Sequence, residues 1–181
     1  MAGVRRIALT CGIACGKSLV SRFLNEAGVL TIDADDVVHR LIPDPAERRR
    51  LAKEVFADEE ARRALEARLH PLVKREIDDF LDTATREGRT AIAVVPLLFE
   101  AHWDRNYDII CAVVSTRAAQ VARLMTTRHH TREEAEARIH AQLPVGEKAA
   151  RANYVITNEG SVDELRLKTK AFVSWLQQSE K

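Results

Sequence analysis

The chain has 181 residues, 46% of them apolar and 30% charged, enough apolar content for one sizeable core and too much for a disordered chain. Lysine and arginine number 28 against 27 aspartates and glutamates, so no overall field draws in nucleic acid or a membrane surface, and any basic site must be local. The amino terminus lacks the charged-then-apolar pattern of a leader and no window approaches the roughly 18 apolar residues of a membrane span, so a cytoplasmic protein is expected. Cys11, Cys15 and Cys111 are odd in number and make a poor disulfide framework. No further cysteine or nearby histidine completes a metal set around Cys11 and Cys15, which leaves them as small side chains filling their places.

In chain order, Ile7-Ala8-Leu9 is a short apolar run before Gly12 and Gly16, the pattern of a buried parallel strand entering a loop. From Lys17 the apolar positions Leu19, Val20, Phe23, Leu24 and Ala27 recur at helical spacing, with Gly28 where a left-handed cap is wanted. Val29-Leu30-Thr31-Ile32 reads as a second strand ending at Asp33-Ala34-Asp35, carboxylates placed to face a ligand. After Pro43, the Asp44-Pro45-Ala46-Glu47 capping box opens charged, leucine-rich helix whose apolar face carries Leu51, Val55, Phe56, Leu65, Leu69, Leu72, Val73, Ile77 and Phe80. This stretch is expected to be a helical excursion. Ala91–Val95 and Ile109–Val114 read as third and fourth strands, the former stopped by Pro96. Thr131-Arg132-Glu133-Glu134 caps a polar helix running through Arg138 and Gln142; Tyr154–Thr157 is a fifth strand; Ser161-Val162-Asp163-Glu164 caps a last helix. Strands alternating with helices predict an α/β fold with a five-stranded parallel sheet and right-handed crossovers.

The stretch "IALTCGIACGKS", residues 7 to 18, carries the chemistry. A strand, a glycine-containing turn and a helix opening at Lys17-Ser18 bring backbone N–H groups and a helix N-terminus to one point, an anion cradle. Lys17 is expected to reach the β- and γ-phosphates of a nucleotide, and the Ser18 hydroxyl to ligate Mg²⁺. The strict pattern wants glycine where Cys11 stands, which predicts a loop that bends differently, strained at Cys11, so that Cys11→Gly would tighten nucleotide binding. A helix N-terminus lowers a thiol's pKa, and this points to Cys15 as the reactive cysteine.

The words "LTCGIACGKS", "IDADDVVHRL", "LHP", "VPLLFE", "RLMTTR", "EEAEARIHAQ" and "YVITNEG" run nearly end to end. Together they resemble the dephospho-CoA kinase family. The resemblance implies a P-loop kinase core (about 1–38, 87–127 and 143–181), a helical acceptor subdomain (about 39–86) and a mobile lid (about 128–142). It implies a reaction moving the γ-phosphoryl of ATP to the ribose 3′-hydroxyl of dephospho-CoA. ATP and dephospho-CoA are then the small-molecule partners, Mg²⁺ the cofactor, and the oligomeric state is left open. On matching positions it makes Gly12, Ala14, Cys15, Gly16, Lys17, Ser18 and Leu19 the nucleotide-phosphate segment, Asp35 the general base, and Arg138 the lid arginine over the phosphates. Asp33 would position Lys17 or hold metal-bound water. Asn158 would belong to the adenine loop, and His70, Pro96, Phe99 and Glu100 would border the acceptor. Arg123, Arg128 and Arg132 are weaker candidates for the phosphates, and Gln142 and Lys148 match family words without an assigned role.

Departures from the family pattern fall at Cys11, Ala14, Cys15 and Leu19, at Val94 and Asn153, and in a shortened segment between Leu41 and Val55. They put the shape of the acceptor pocket in question more than the phosphate chemistry. Two rivals follow: another small-molecule kinase on the same core, and a nucleotide-binding protein that has lost catalysis.

Overall fold

The computed structural model of the chain describes residues 5–179, with the side chains of Phe56, Ala57 and Ser179 outside that description. Five strands form one parallel sheet: β1 (Ile7–Cys11), β2 (Leu30–Asp33), β3 (Ala91–Val94), β4 (Ile109–Val114) and β5 (Tyr154–Thr157), in the order β2-β3-β1-β4-β5. In the centre, Leu9 stands between Val94 of β3 and Cys111 of β4. All five residues of β1 are buried, because helices cover both faces and an apolar run has nowhere polar to point.

The period-2 alternation of β1 sorts its side chains between two cores. Ile7, Leu9 and Cys11 face α1 (Lys17–Glu26) and α8 (Val162–Ser179), where they meet Val20, Phe23, Leu24, Leu165 and Phe172. Ala8 faces the other way, with Ala93 and Ile110, toward Val73, Ile77, Leu81 and Ala84 of α4 (Glu59–Arg86). Those four recur at helical spacing, and each large apolar side chain so buried contributes about 1.5–3 kcal/mol. Leu72, expected on this apolar face, is 44% exposed; it lies one position off the buried stripe. Phe56, also expected there, lies outside the described side chains.

Helix α1 ends in the expected left-handed cap, with Gly28 at φ 83° and the Val29 N–H donating to the Leu24 carbonyl at 3.0 Å. The predicted excursion is α2 (Ala34–Leu41), α3 (Pro45–Ala57) and α4. Asp44 caps α3 through the Ala46 N–H at 2.8 Å, and Arg48 reaches back to the Ile42 and Pro43 carbonyls, closing the short α2–α3 turn. Beyond β4 come α5 (Arg117–Arg128), α6 (Arg132–His140) and α7 (Val145–Arg151). Thr131 and Glu134 form the expected reciprocal box at α6, as Ser161 and Glu164 do at α8. Helix α6 stops at His140, so Gln142 lies in the link to α7 rather than on the helix.

One boundary matters for function. Cys11 is the last residue of β1, paired with Val113, and not part of the loop. From β1 the chain crosses to β2 at one edge, while β3 connects across β1 to β4 on the other side. The loop after β1 therefore sits where connections diverge, the crevice in which open α/β sheets bind ligands.

Candidate active site

The loop from Gly12 to Gly16 is short and tightly held. Its sharp turn is taken by Ala14 at φ 57° and Gly16 at φ 103°, with the Cys15 N–H closing on the Gly12 carbonyl at 3.2 Å. A side chain at Gly12 would run into Val145, and one at Gly16 into the Asn158 amide, so both glycines are there for close approach.

Beneath the loop lies a polar scaffold that draws its carbonyls outward. Gln120 Nε2 donates to the Ile13 carbonyl at 2.7 Å, Arg123 to the Ala14 carbonyl at 3.0 Å, and Asn158 Nδ2 to the Cys15 carbonyl at 2.9 Å. Ser115 and Arg123 in turn bind the Asn158 carbonyl. With the Ile13 and Cys15 carbonyls engaged from behind, the Ala14 and Gly16 amides on the same trans peptides point away from that scaffold. No backbone acceptor exists among the described residues for the N–H groups of Ala14, Gly16, Lys17 and Ser18, the unpaired donors of a helix start that suit a phosphate.

Lys17 closes the front of this cradle. Its Nζ lies 2.9 Å from Asp33 Oδ2 and 2.6 Å from Asp35 Oδ2. Burial works against the Lys17 charge, but hydrogen bonds and charge from Asp35 and then Asp33 outweigh it and hold the pKa above the ordinary lysine value. Asp33 also caps α2, accepting from the Asp35 N–H at 2.9 Å, which fixes the direction of Asp35.

Two clefts meet here. The first, about 350 Å³, is lined by the loop, Lys17, Ser18, Leu19, Asp35, Pro96, Arg123, Arg128 and Gln142. The second, about 310 Å³, runs between α2, α4 and the segment after β3, lined by Val38, Leu69, Val73, Leu97 and Trp103, with Arg62, Glu66 and His70 as its polar groups. His70 meets Trp103 edge-on, ring centroids 5.1 Å apart. Asp35 and Pro96 line both clefts.

Lys17, Ser18, Asp35 and Pro96 thus share the first cleft, Asp33 reaches it through Lys17, and His70 lines the second. Arg138, Asn158, Phe99 and Glu100 line neither cleft. Arg138, on α6, is exposed and lines neither cleft, whereas Arg128, at the end of α5, lines the phosphate cleft. Asn158 is 7% exposed and braces the loop from behind, away from the cleft lining. Phe99 is 2% exposed, under the Arg151 guanidinium at 4.0 Å, and does not line the second cleft. Glu100 binds Lys148 and the Leu143 N–H. The thiols contradict the expectation of a reactive Cys15: burial pushes Cys15 up to about 11 and Cys11 up to about 12, because desolvation of a thiolate outweighs nearby cations and the helix end.

Sequence reasoning missed Ser115 and Gln120, gave Arg123 only a weak candidacy for the phosphates, and gave no role to Gln142 or Lys148. Most of their partners are remote along the chain, up to 137 positions away for Lys148 and Cys11, and no local period marks them.

The residues fit a hard, oxygen-ligated cation arriving with a nucleotide. Ser18 is exposed and lines the phosphate cleft with Asp35, oxygen donors of the kind Mg²⁺ takes. No group of three or more His, Cys, Asp or Glu side chains among the described residues could hold an ion alone, so phosphate oxygens would supply much of the coordination.

With the geometry in place, comparison with known proteins is direct. A family model described as dephospho-CoA kinase matches residues 5–47 and 44–164. Its two pieces overlap at residues 44–47, the start of α3, within the segment expected to be shortened. A dephospho-CoA kinase of Symbiobacterium thermophilum is 42% identical over 190 residues, covering 93% of this chain and 80% of that protein. The crystal structure of TT1252 from Thermus thermophilus superposes with a TM-score of 0.78 at 32% identity, covering 95% of this chain and 97% of that one. Dephospho-CoA kinase from Campylobacter jejuni shares the fold, with a TM-score of 0.72 at 22% identity over 97% and 98% of the two chains. This chain is a P-loop enzyme and belongs to the dephospho-CoA kinase family.

Proposed function

We propose that the chain transfers the γ-phosphoryl of ATP to the ribose 3′-hydroxyl of dephospho-CoA, the last step in making coenzyme A, with Asp35 as general base. The observation that carries this is the place of Asp35. It borders both the phosphate cleft and the apolar cleft, and its Oδ2 stands 2.6 Å from the lysine of the phosphate loop. A carboxylate there can take the proton of an acceptor hydroxyl as the oxygen attacks the γ-phosphorus and the bond to the β-phosphate oxygen breaks, releasing ADP.

Lys17 meets the phosphates as a cation and shifts part of its bonding from the two aspartates to them. That transfer frees Asp35 to accept a proton only when nucleotide is present. Ser18 and water-mediated Asp33 would hold Mg²⁺, which supplies charge neutralisation on the phosphates when bound. The apolar cleft of α2 and α4, with His70, Pro96, Leu97 and Trp103, is the acceptor side, and α6 with its flanking links is the lid that brings Arg138 over the phosphates. The setting is cytoplasmic, with small molecules as partners.

The test is ADP release with dephospho-CoA, adenosine and AMP as acceptors. Strong preference for dephospho-CoA supports the reading, and equal rates with adenosine or AMP refute it. Asp35→Asn should lower kcat by about 10² or more with ATP affinity little changed. If Asp33→Asn is the more damaging, the roles of the two acids are reversed.

A further inference from the structure

The Lys148 side chain is completely buried, yet none of the chemistry above uses it. Its Nζ lies 2.8 Å from Glu100 Oε1, 2.7 Å from the Pro96 carbonyl and 3.3 Å from the Cys11 carbonyl. An ammonium has three N–H donors and no acceptor, and here all three find partners. Those partners come from two places, the end of β1 and the turn that follows β3. Cys11 is the last residue before the phosphate loop, and Pro96 borders both clefts. Glu100 Oε1 also accepts from the Leu143 N–H at 3.0 Å, and the neighbouring Gln142 accepts from the Ile13 N–H of the loop at 2.9 Å. Residues 142–143 form the link between α6 and α7.

A buried ion pair is a weak stabiliser, since apolar side chains of similar volume often do as well. Methionine and leucine cannot, however, hold two carbonyls and a carboxylate at once. We infer that Lys148 is a positioning residue of the phosphoryl-transfer site, which with Glu100 fixes the start of the phosphate loop, the Pro96 wall between the clefts and the α6–α7 link in one arrangement. This rests on the kinase reading above for its effect on turnover, but its effect on the loop does not.

Three variants test it: Lys148→Met, Glu100→Gln and the two combined. Lys148→Met alone leaves the partly buried Glu100 carboxylate without its cation and lowers the thermal midpoint. The double variant removes both charges and restores the midpoint. If the pair served stability alone, turnover would return with it. Under the positioning role the double variant, at parental midpoint, keeps kcat with dephospho-CoA roughly tenfold or more below the parent, because small misplacements of a reacting group are costly. Its ATP dissociation constant, read by calorimetry, rises by about fivefold. A double variant within about twofold of the parent in both readouts overturns the inference. Should it not fold, Glu100→Gln carries the test: it keeps an oxygen for both donors but weakens the charge-assisted bond, and ATP affinity unchanged within about twofold overturns the inference. A parent chain that binds ATP but leaves dephospho-CoA untouched refutes the kinase reading instead, with the ATP arm still deciding the role of Lys148.

Discussion

Cys11→Gly is the substitution on which the sequence pattern and the structure disagree in sign. The pattern treats Cys11 as a strained loop residue that glycine would relieve. In the structure Cys11 ends β1 opposite Val113, is 3% exposed, and is not among the positive-φ residues. There is no backbone strain to release. Removing its side chain takes buried carbon and sulfur from the core shared with Leu9 and Val20, about 1–2 kcal/mol. Glycine in a strand adds roughly 0.5–1 kcal/mol of lost chain entropy. The sum, about 2 kcal/mol, lowers the thermal midpoint by about 4–8 °C for a chain of this length. The strained residue is instead Ala14, at φ 57°, where a non-glycine side chain costs about 1 kcal/mol or more. Ala14→Gly recovers that, but gives roughly 0.4–1 kcal/mol back to the unfolded chain. It also gives up part of a methyl packed near Val121, Leu124 and Ala135, and the net is within about 0.5 kcal/mol of the parent. Thermal unfolding of both variants, with calorimetric ATP titration, measures these signs. A Cys11→Gly protein as stable as the parent and binding ATP more tightly would refute the reasoning.

Lys17→Ala removes the cation held between Asp33 and Asp35 and should cut kcat by about 10²–10³, read in a coupled ADP assay; near-normal turnover in a folded protein would mean that the loop is misassigned. Arg128→Ala should weaken ATP binding in the absence of acceptor more than Arg138→Ala, because only Arg128 lines the phosphate cleft; the reverse order by calorimetry would place Arg138 there first. The three cysteines are buried and their thiols pushed up. A raised native pKa contributes stability that is complete below the unfolded thiol's value, about 8.5, and fades as pH climbs toward the native ones. The melting temperature should therefore hold across neutral pH and fall above about pH 9, with native thiols silent to a blocking reagent at pH 8. Prompt labelling of Cys15 in the native protein would contradict this.

The parts of this molecule legible in the sequence are those set by near neighbours. Five strands, the Gly28 cap, the box at Thr131 and the loop with Lys17 and Ser18 follow from period, capping and turn chemistry within about ten residues. Asp33 and Asp35 were legible because a strand end facing a ligand is a local feature, although the distances to Lys17 depend on β2 lying beyond β3. Arg123, Gln120, Gln142, Lys148 and Asn158 were not. Each is an ordinary polar residue in its own stretch, and only the parallel sheet brings residue 148 to residue 11, or residue 158 to residue 15. The family resemblance named Asn158, Phe99 and Glu100, but their contacts were not legible: Asn158 braces the loop, Phe99 lies under Arg151 and Glu100 holds Lys148.

The same distinction explains how the loop tolerates so many departures from the glycine pattern. A phosphate cradle needs amides aimed inward and a cation in front, and neither is a property of the side chains at positions 11, 14 or 15. Two of the amides are aimed by what grips the opposite ends of their peptides, Gln120 on Ile13 for the Ala14 N–H and Asn158 on Cys15 for the Gly16 N–H, while Arg123 on Ala14 braces the peptide whose N–H closes the loop on Gly12. Glycine is obligatory only where a Cβ would strike that scaffold, at Gly16 against Asn158, or strike α7, at Gly12 against Val145. Cys11 and Cys15 point their sulfurs into the core instead, where both are buried with Leu9 and Val20. Alanine at 14 holds the left-handed turn at a cost smaller than three charge-neutral or charge-assisted hydrogen bonds can offset, each contributing about 0.5–3 kcal/mol. Lys17 stays charged for a related reason. Partial burial alone would favour the neutral amine, and the two carboxylates beside it reverse the preference. An incoming nucleotide therefore meets an ammonium already placed, and one of the two acids that hold it, Asp35, borders both clefts.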